Sequence, residues 1–184
     1  MKRIRIIALP IIASLALFLS CGSVPEKTAP VTKVSASEQK KTDEEYERSV
    51  GQLTNGVSVS KEEFITDKTE IINIINELKK IMEKQDYEGW TKYISKASLQ
   101  YYSSPANIRK VNKRLPDKTI VMYGPEDYFK YIFIPSRKQS QVDEIRYISK
   151  TEVKAVQVLE DKSTFVYYNF VNEEGKWKVK LPTV

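Results

Sequence analysis

Apolar residues recur at helical spacing in one part of the chain and at alternate positions in another. Ile71, Ile74, Ile75, Leu78, Ile81 and Met82 follow the period of a helix with one buried stripe. Asp67-Lys68-Thr69-Glu70 stands before them as a capping box, so the pattern predicts a helix from Asp67 to about Lys84. Gln85-Asp86 interrupts it. A shorter helix over Tyr87–Ile94 would turn Trp90 and Tyr93 inward, and Ala97–Tyr102 continues helically. Ser104 then suits an N-cap and Pro105 the first helical position, opening a helix to about Leu115. A short extended piece, Ile120–Tyr123, leads to Gly124-Pro125 and a further start signal. The run Tyr128–Ile134 is apolar on nearly every side, so period alone does not separate helix from strand. The acidic first turn of Glu126 and Asp127 favours helix, with Pro135 as its stop.

From Val142 the period becomes two. Val142–Ser149, Thr151–Leu159, Thr164–Val171 and Lys176–Leu181 read as strands, with Glu160–Ser163 and Asn172–Gly175 as turns. Only Lys150 separates the first two, which suits one long bent strand as well as a pair. Symmetric turns would set Phe170 opposite Trp177, Tyr168 opposite Val179 and Val166 opposite Leu181. Val153, Ala155 and Gln157 would join them on the face that meets the helices. The other face would carry Lys154, Asn169, Lys178 and Lys180, but also Val156, Val158, Phe165 and Tyr167. Four such residues on a solvent face predict a covering helix segment, a partner site or, the preferred reading, a homodimer contact.

The N-terminal third has neither period. Met1-Lys2-Arg3-Ile4-Arg5 is a positive start, and Ile6–Leu19 is apolar apart from Pro10 and Ser14. As a helix that stretch would span about 21 Å, short of a ~30 Å hydrocarbon core, which suits a signal peptide over residues 1–20. Residues 21–62 are rich in Ser, Thr, Lys, Glu, Val and Pro, with Tyr46 as their one aromatic residue. They read as a flexible tether with a root-mean-square reach of about 35 Å. Ser37–Arg48 could form a loose helix, but without an apolar stripe.

Composition narrows the chemistry. The 184 residues contain no histidine, which removes the usual general base and the commonest zinc ligand. The formal charge is +6, and loss of Lys2, Arg3 and Arg5 with a signal peptide would leave +3, too mild a balance to imply nucleic acid. The single cysteine, Cys21, rules out an internal disulfide. Phe18-Leu19-Ser20-Cys21-Gly22 resembles a bacterial lipobox, in a relaxed form because Phe18 and Leu19 depart from the commoner pattern. That resemblance implies cleavage before Cys21, acyl chains on its sulfur, and anchorage to the cell membrane or outer membrane on the exported side. An ordinary signal peptide that ends near a cysteine is the plainer alternative.

Helices followed by an antiparallel meander that ends in Asn172-Glu173-Glu174-Gly175-Lys176-Trp177-Lys178-Val179 resemble the nuclear transport factor 2-like superfamily. The similarity covers about Phe64–Val184, and the long helical stretch Ala97–Pro135 departs from it. It implies an α+β fold, N-terminal helices on a curved, cone-shaped sheet, over a domain of residues 63–184. Enzymes of that superfamily move protons with Asp, His or Tyr inside the cone. Here the nearest candidates are Asp127 beside Tyr128 and Asp143 beside Glu144, which also read as a helix-start charge and a solvated strand entry. Trp90, Tyr101, Tyr128, Tyr131, Gln157, Tyr168 and Trp177 could line a ligand pocket, or could fill the core with their polar ends at its edge. Ser136-Arg137-Lys138 is either an anion loop or a solvated basic turn. No metal or other cofactor is expected. The expectation is a membrane-anchored lipoprotein that binds a small apolar ligand or a partner protein, and the alternative is a cone-type enzyme with a carboxylate/tyrosine proton shuttle.

Overall fold

Helix α2 (Lys61–Lys84) begins a turn and a half before the expected capping box in the computed structural model, which describes residues 36–54 and 56–183. Its N-cap is Ser60, whose hydroxyl accepts from the Glu63 amide at 3.1 Å. Asp67 therefore lies inside the helix, one turn before Ile71 and on the buried side with Phe64, Ile71, Ile75 and Leu78. Gln85 ends it in the left-handed region, at φ 52°. The signal segment 1–20, Cys21 and the chain up to residue 35 lie outside the described residues.

The tether expected through residue 62 needs correction, because the described residues from 36 onward begin with a helix. Residues Ala36–Val50 form helix α1. This helix has little apolar surface of its own, and polar contacts to distant segments hold it. The Tyr46 hydroxyl donates to the Val59 carbonyl at 2.7 Å, and its ring meets Phe64 edge-on. Arg48 reaches Glu144 at 2.6 Å, Lys68 pairs with Glu45, and Lys61 pairs with Asp43.

Short helices follow: α3 (Tyr87–Thr91), α4 (Lys96–Ser103), α5 (Pro105–Arg114) and α6 (Pro125–Tyr128). Pro135 does not stop the next one. Phe129–Phe133 form a π-helical turn that runs into α7, Ile134–Arg137. The Ile134 amide donates to the Phe129 carbonyl, five residues back. Proline lacks an N–H and crowds the carbonyl four residues before it, and widening the turn just ahead relieves both problems.

The sheet is antiparallel in the order β1 (Glu144–Ser149), β2 (Glu152–Val158), β3 (Thr164–Glu173), β4 (Lys176–Lys180). The fold is thus α+β, with helices on a curved meander, as expected. The first two strands are a hairpin and not one bent strand, since Ile145 pairs with Ala155 and Tyr147 with Val153. The last hairpin closes through only Glu174 (φ 55°) and Gly175 (φ 81°), the positive-φ pair of a tight turn. Phe170 consequently faces Val179, two places from the expected partner, and an even slip leaves every side chain on its expected face.

A bulge in the β2–β3 pairing has the opposite effect. Ala155 pairs with Tyr168 but Val156 pairs with Val166, so one residue of β3 is passed over and the facing inverts beyond it. The set Val156, Val158, Phe165 and Tyr167 expected as a dimer face is therefore divided. Val156 is buried and shares a depression with Val166, Arg48 and Gln52, on the side where α1 meets β1. Phe165 and Tyr167 lie instead beside Pro135, Ser136 and Lys138.

Candidate functional site

The residues expected to line a pocket separate into three environments. Trp90, Tyr128, Tyr168 and Trp177 are buried, each no more than 3 % exposed. The Trp90 ring centroid lies 5.0 Å from Phe129, 5.3 Å from Phe133 and 6.5 Å from Tyr128. Tyr128 lies 4.2 Å from Tyr102, and Phe133 meets Tyr168 edge-on at 6.2 Å. These aromatic contacts fill the space between helices and sheet. Tyr131 is exposed, with the Lys130 ammonium over its ring. Gln157 is half-buried at the surface, accepting from the Tyr167 hydroxyl. Of the seven, Tyr101 alone lines the cleft described below.

Burial raises the phenol pKa of Tyr102, Tyr128 and Tyr168 above the ordinary value, so their protons are firmly held. Arg137 stacks its guanidinium on Phe133, 4.4 Å from the ring centroid, and 5.4 Å from that of Tyr168. Of the segment read as either an anion loop or a solvated basic turn, Arg137 does neither simply: it is turned onto the aromatic cluster and donates to the Ser136 hydroxyl at 2.7 Å. The two carboxylate candidates serve backbone. Asp127 accepts from the Tyr123 amide and Asp143 from the Val158 amide, at 2.7 and 2.9 Å. Glu144 is bound by Arg48 and Arg146.

A carboxylate and a tyrosine do meet at Asp67 and Tyr147. The Tyr147 hydroxyl donates to Asp67 Oδ2 at 2.6 Å, and the Trp177 indole N–H donates to Oδ1 at 3.0 Å. One carboxylate on α2 thus clasps β1 and β4 together. Burial first and the hydrogen bond to Asp67 second push the Tyr147 phenol upward, which keeps its proton in place. The signal for this clasp is visible in retrospect, because Asp67 is a charge within the apolar stripe of α2, where it must find donors.

An open cleft lies between α4, the C-terminal tail and the sheet face away from α2. Its position follows from two tethers. The Ser98 hydroxyl accepts from the Leu181 amide at 2.9 Å, and the Tyr102 hydroxyl donates to the Pro182 carbonyl at 2.7 Å, pinning the tail beside α4. Ala97, Ser98 and Tyr101 form one wall, Leu181, Pro182 and Thr183 another, and Ile148 and Val171 present apolar surface between them. Polar groups stand at its side: the Asn169 amide, and Glu152 paired with Lys180 at 2.9 Å. The volume is about 680 Å³, within the roughly 300–1,000 Å³ usual for small-molecule sites. Apolar surface beside a carboxylate, an ammonium and an amide suits a ligand with an apolar body and a polar end. Apart from Tyr101, sequence reasoning missed this cleft, since its residues come from five separate segments and make no local motif.

Comparison with known proteins gives one informative similarity. The chain is 30% identical over 111 residues to an uncharacterised lipoprotein of Treponema pallidum (strain Nichols). The aligned part is 60% of this chain and 59% of that protein, so the chain spans about three-fifths of its relative's length. No protein-family model matches the chain, and no solved structure does. Among the described residues, no helix is long and apolar enough to cross a membrane.

Proposed function

We propose that this chain is a lipid-anchored lipoprotein of the cell envelope, held by acyl chains on Cys21, and that its folded unit is a non-catalytic binding module. The observation that carries the anchor is the position of the only cysteine, one residue beyond the apolar run Ile6–Leu19, in a chain similar to a lipoprotein. Two or three acyl chains, at about 0.8 kcal/mol per buried CH₂, make a stable attachment where one chain does not. The binding role is supported by the cleft, where Tyr101, Ile148 and Val171 offer apolar contact and Glu152, Lys180 and Asn169 offer orientation. The ligand that fits is a small apolar molecule with a polar end.

Among the described residues, a carboxylate/tyrosine proton shuttle has its hydrogen-bonded candidates in Asp67 and Tyr147. The held phenol proton and the indole on the second oxygen favour a structural role for that pair, and so favour binding over catalysis.

The anchor is tested by detergent-phase partition of the processed protein and by its mass. The expected result is an acyl mass on a chain beginning at Cys21, with Cys21→Ala moving to the aqueous phase. An unmodified mature N-terminus would reject it. For the cleft, 1-anilinonaphthalene-8-sulfonate should bind the intact protein, and Val171→Glu should weaken that binding by at least about tenfold, the equivalent of 1.4 kcal/mol. An unchanged titration would remove the cleft from the proposal.

A further inference from the structure

Helix α5 and the segment after it carry an unusual surface. Ile108, Val111 and Leu115 are buried, while Arg109, Lys110, Lys113 and Arg114 are exposed on the other side of the helix. At 100° per residue these four basic positions form one continuous stripe along its length. None of them joins an ion pair among the described residues.

The segment that follows is fastened alongside. Asn112 holds Met122 by two hydrogen bonds, its amide donating to the Met122 carbonyl at 2.8 Å and its oxygen accepting from the Met122 amide at 3.0 Å. Lys118 donates to the Lys113 carbonyl at 2.9 Å. Met122 is buried, and its neighbours Val121 and Tyr123 are consequently turned outward, 50 % and 83 % exposed. A valine and a tyrosine held out by a fixed backbone, beside five basic side chains, with Asp117 in the turn and Asp127 on the Tyr123 amide as nearby acids, are not what a simple solvated turn requires.

We propose that this surface, made of the basic stripe of α5 with Val121 and Tyr123, docks on an anionic lipid bilayer. Arginine and lysine meet phosphate headgroups, and a tyrosine with an apolar body and a polar tip settles at the interface. Charge complementarity selects this occupant: a bilayer offers many phosphates at once to four cations that join no ion pair among the described residues. The proposal rests on the anchored reading only for proximity, since an N-terminal anchor would keep this surface near headgroups. Docking would then fix the orientation of the cleft relative to the membrane.

The test uses the full chain with Tyr123→Trp as a reporter, which is readable because Trp90 and Trp177 are buried. The protein is mixed with phosphatidylcholine vesicles, with and without about 30 % phosphatidylglycerol, each containing brominated lipid. Flotation is recorded in parallel. The expected result is quenching of the introduced indole on anionic vesicles, at least about fivefold weaker on neutral ones, and lost when Arg109, Lys110, Lys113 and Arg114 are all changed to Glu. Equal quenching on both vesicles, or none on the anionic ones, overturns the proposal. So does binding to polyuridylate as tight as to anionic vesicles, which would assign the surface to nucleic acid. A chain that floats on both vesicles without quenching rejects the surface and leaves the anchor standing. Quenching on anionic vesicles without flotation on neutral ones supports the surface and counts against the anchor.

Discussion

Asp67 shows what one charge in an apolar stripe can do. Its two oxygens accept from a phenol on β1 and an indole on β4, so both donors lose their partner if the carboxylate goes. Buried donors without acceptors cost about 1–3 kcal/mol each, although Asp67 is itself partly exposed, so water reaches part of this site. Asp67→Ala should therefore lower unfolding free energy by about 2–4 kcal/mol in urea titration. Tyr147→Phe, which removes one donor and leaves the indole bond, should cost about 1 kcal/mol. If the two variants proved equally destabilising, the clasp would not depend on both bonds. Tyr102 shows the same logic at smaller scale: its hydroxyl secures the Pro182 carbonyl, and through it one wall of the cleft.

Among elements, α1 is the one held chiefly by charge. Arg48 is half-exposed, so its bond to Glu144 contributes less than about 1 kcal/mol to global stability. Local stability is a separate quantity. Glu144→Gln should speed amide exchange across Ala36–Val50 about fivefold while leaving the α2 amides unchanged, and about 1 M salt should move the unmodified protein the same way. Uniform exchange changes in both helices would contradict a separately opening α1. This dependence on distant partners also explains why α1 was illegible as part of the fold: Arg48 and Glu144 are 96 positions apart, and no local pattern records their meeting. The repeating stripe Ile71–Met82 was legible, and its end at Lys84 came out as expected. Its start was not, because Ser60 and Asp67 are both capping residues and only Phe64 signals the extra turns. The strands were legible by their alternation. The bulge after Ala155 was not, since no glycine marks it, and it alone dismantled the expected dimer face. Tyr101, Ile148 and Leu181 form a site only through the hairpin register and the pinned tail, which is why the aromatic count pointed to the packed interior instead.

At the scale of the whole molecule, buried tyrosines tie stability to pH. Tyr102, Tyr128, Tyr147 and Tyr168 sit in or beside one continuous core, and burial raises each of their pKa values in the folded state. In the unfolded chain each phenol titrates near its ordinary value of about 10. Below that pH both states hold the proton, and the full stabilisation is present. As pH rises past about 10 the unfolded chain releases protons that the folded protein keeps, so the unfolded state is favoured progressively until the folded values are reached. The loss is therefore alkaline and carries the sign opposite to acid denaturation by carboxylates. Unfolding midpoints should stay nearly flat from neutral pH to about 9 and fall steeply above about 10. Tyr147→Phe and Tyr168→Phe, although less stable at neutral pH, should each flatten that fall, because each removes one proton from the difference between the two states. The measurement is urea unfolding at a series of alkaline pH values, with phenolate absorbance followed in parallel. Phenolate of the buried tyrosines appearing together with loss of structure supports the linkage. Ionisation of all eleven tyrosines before unfolding would contradict it.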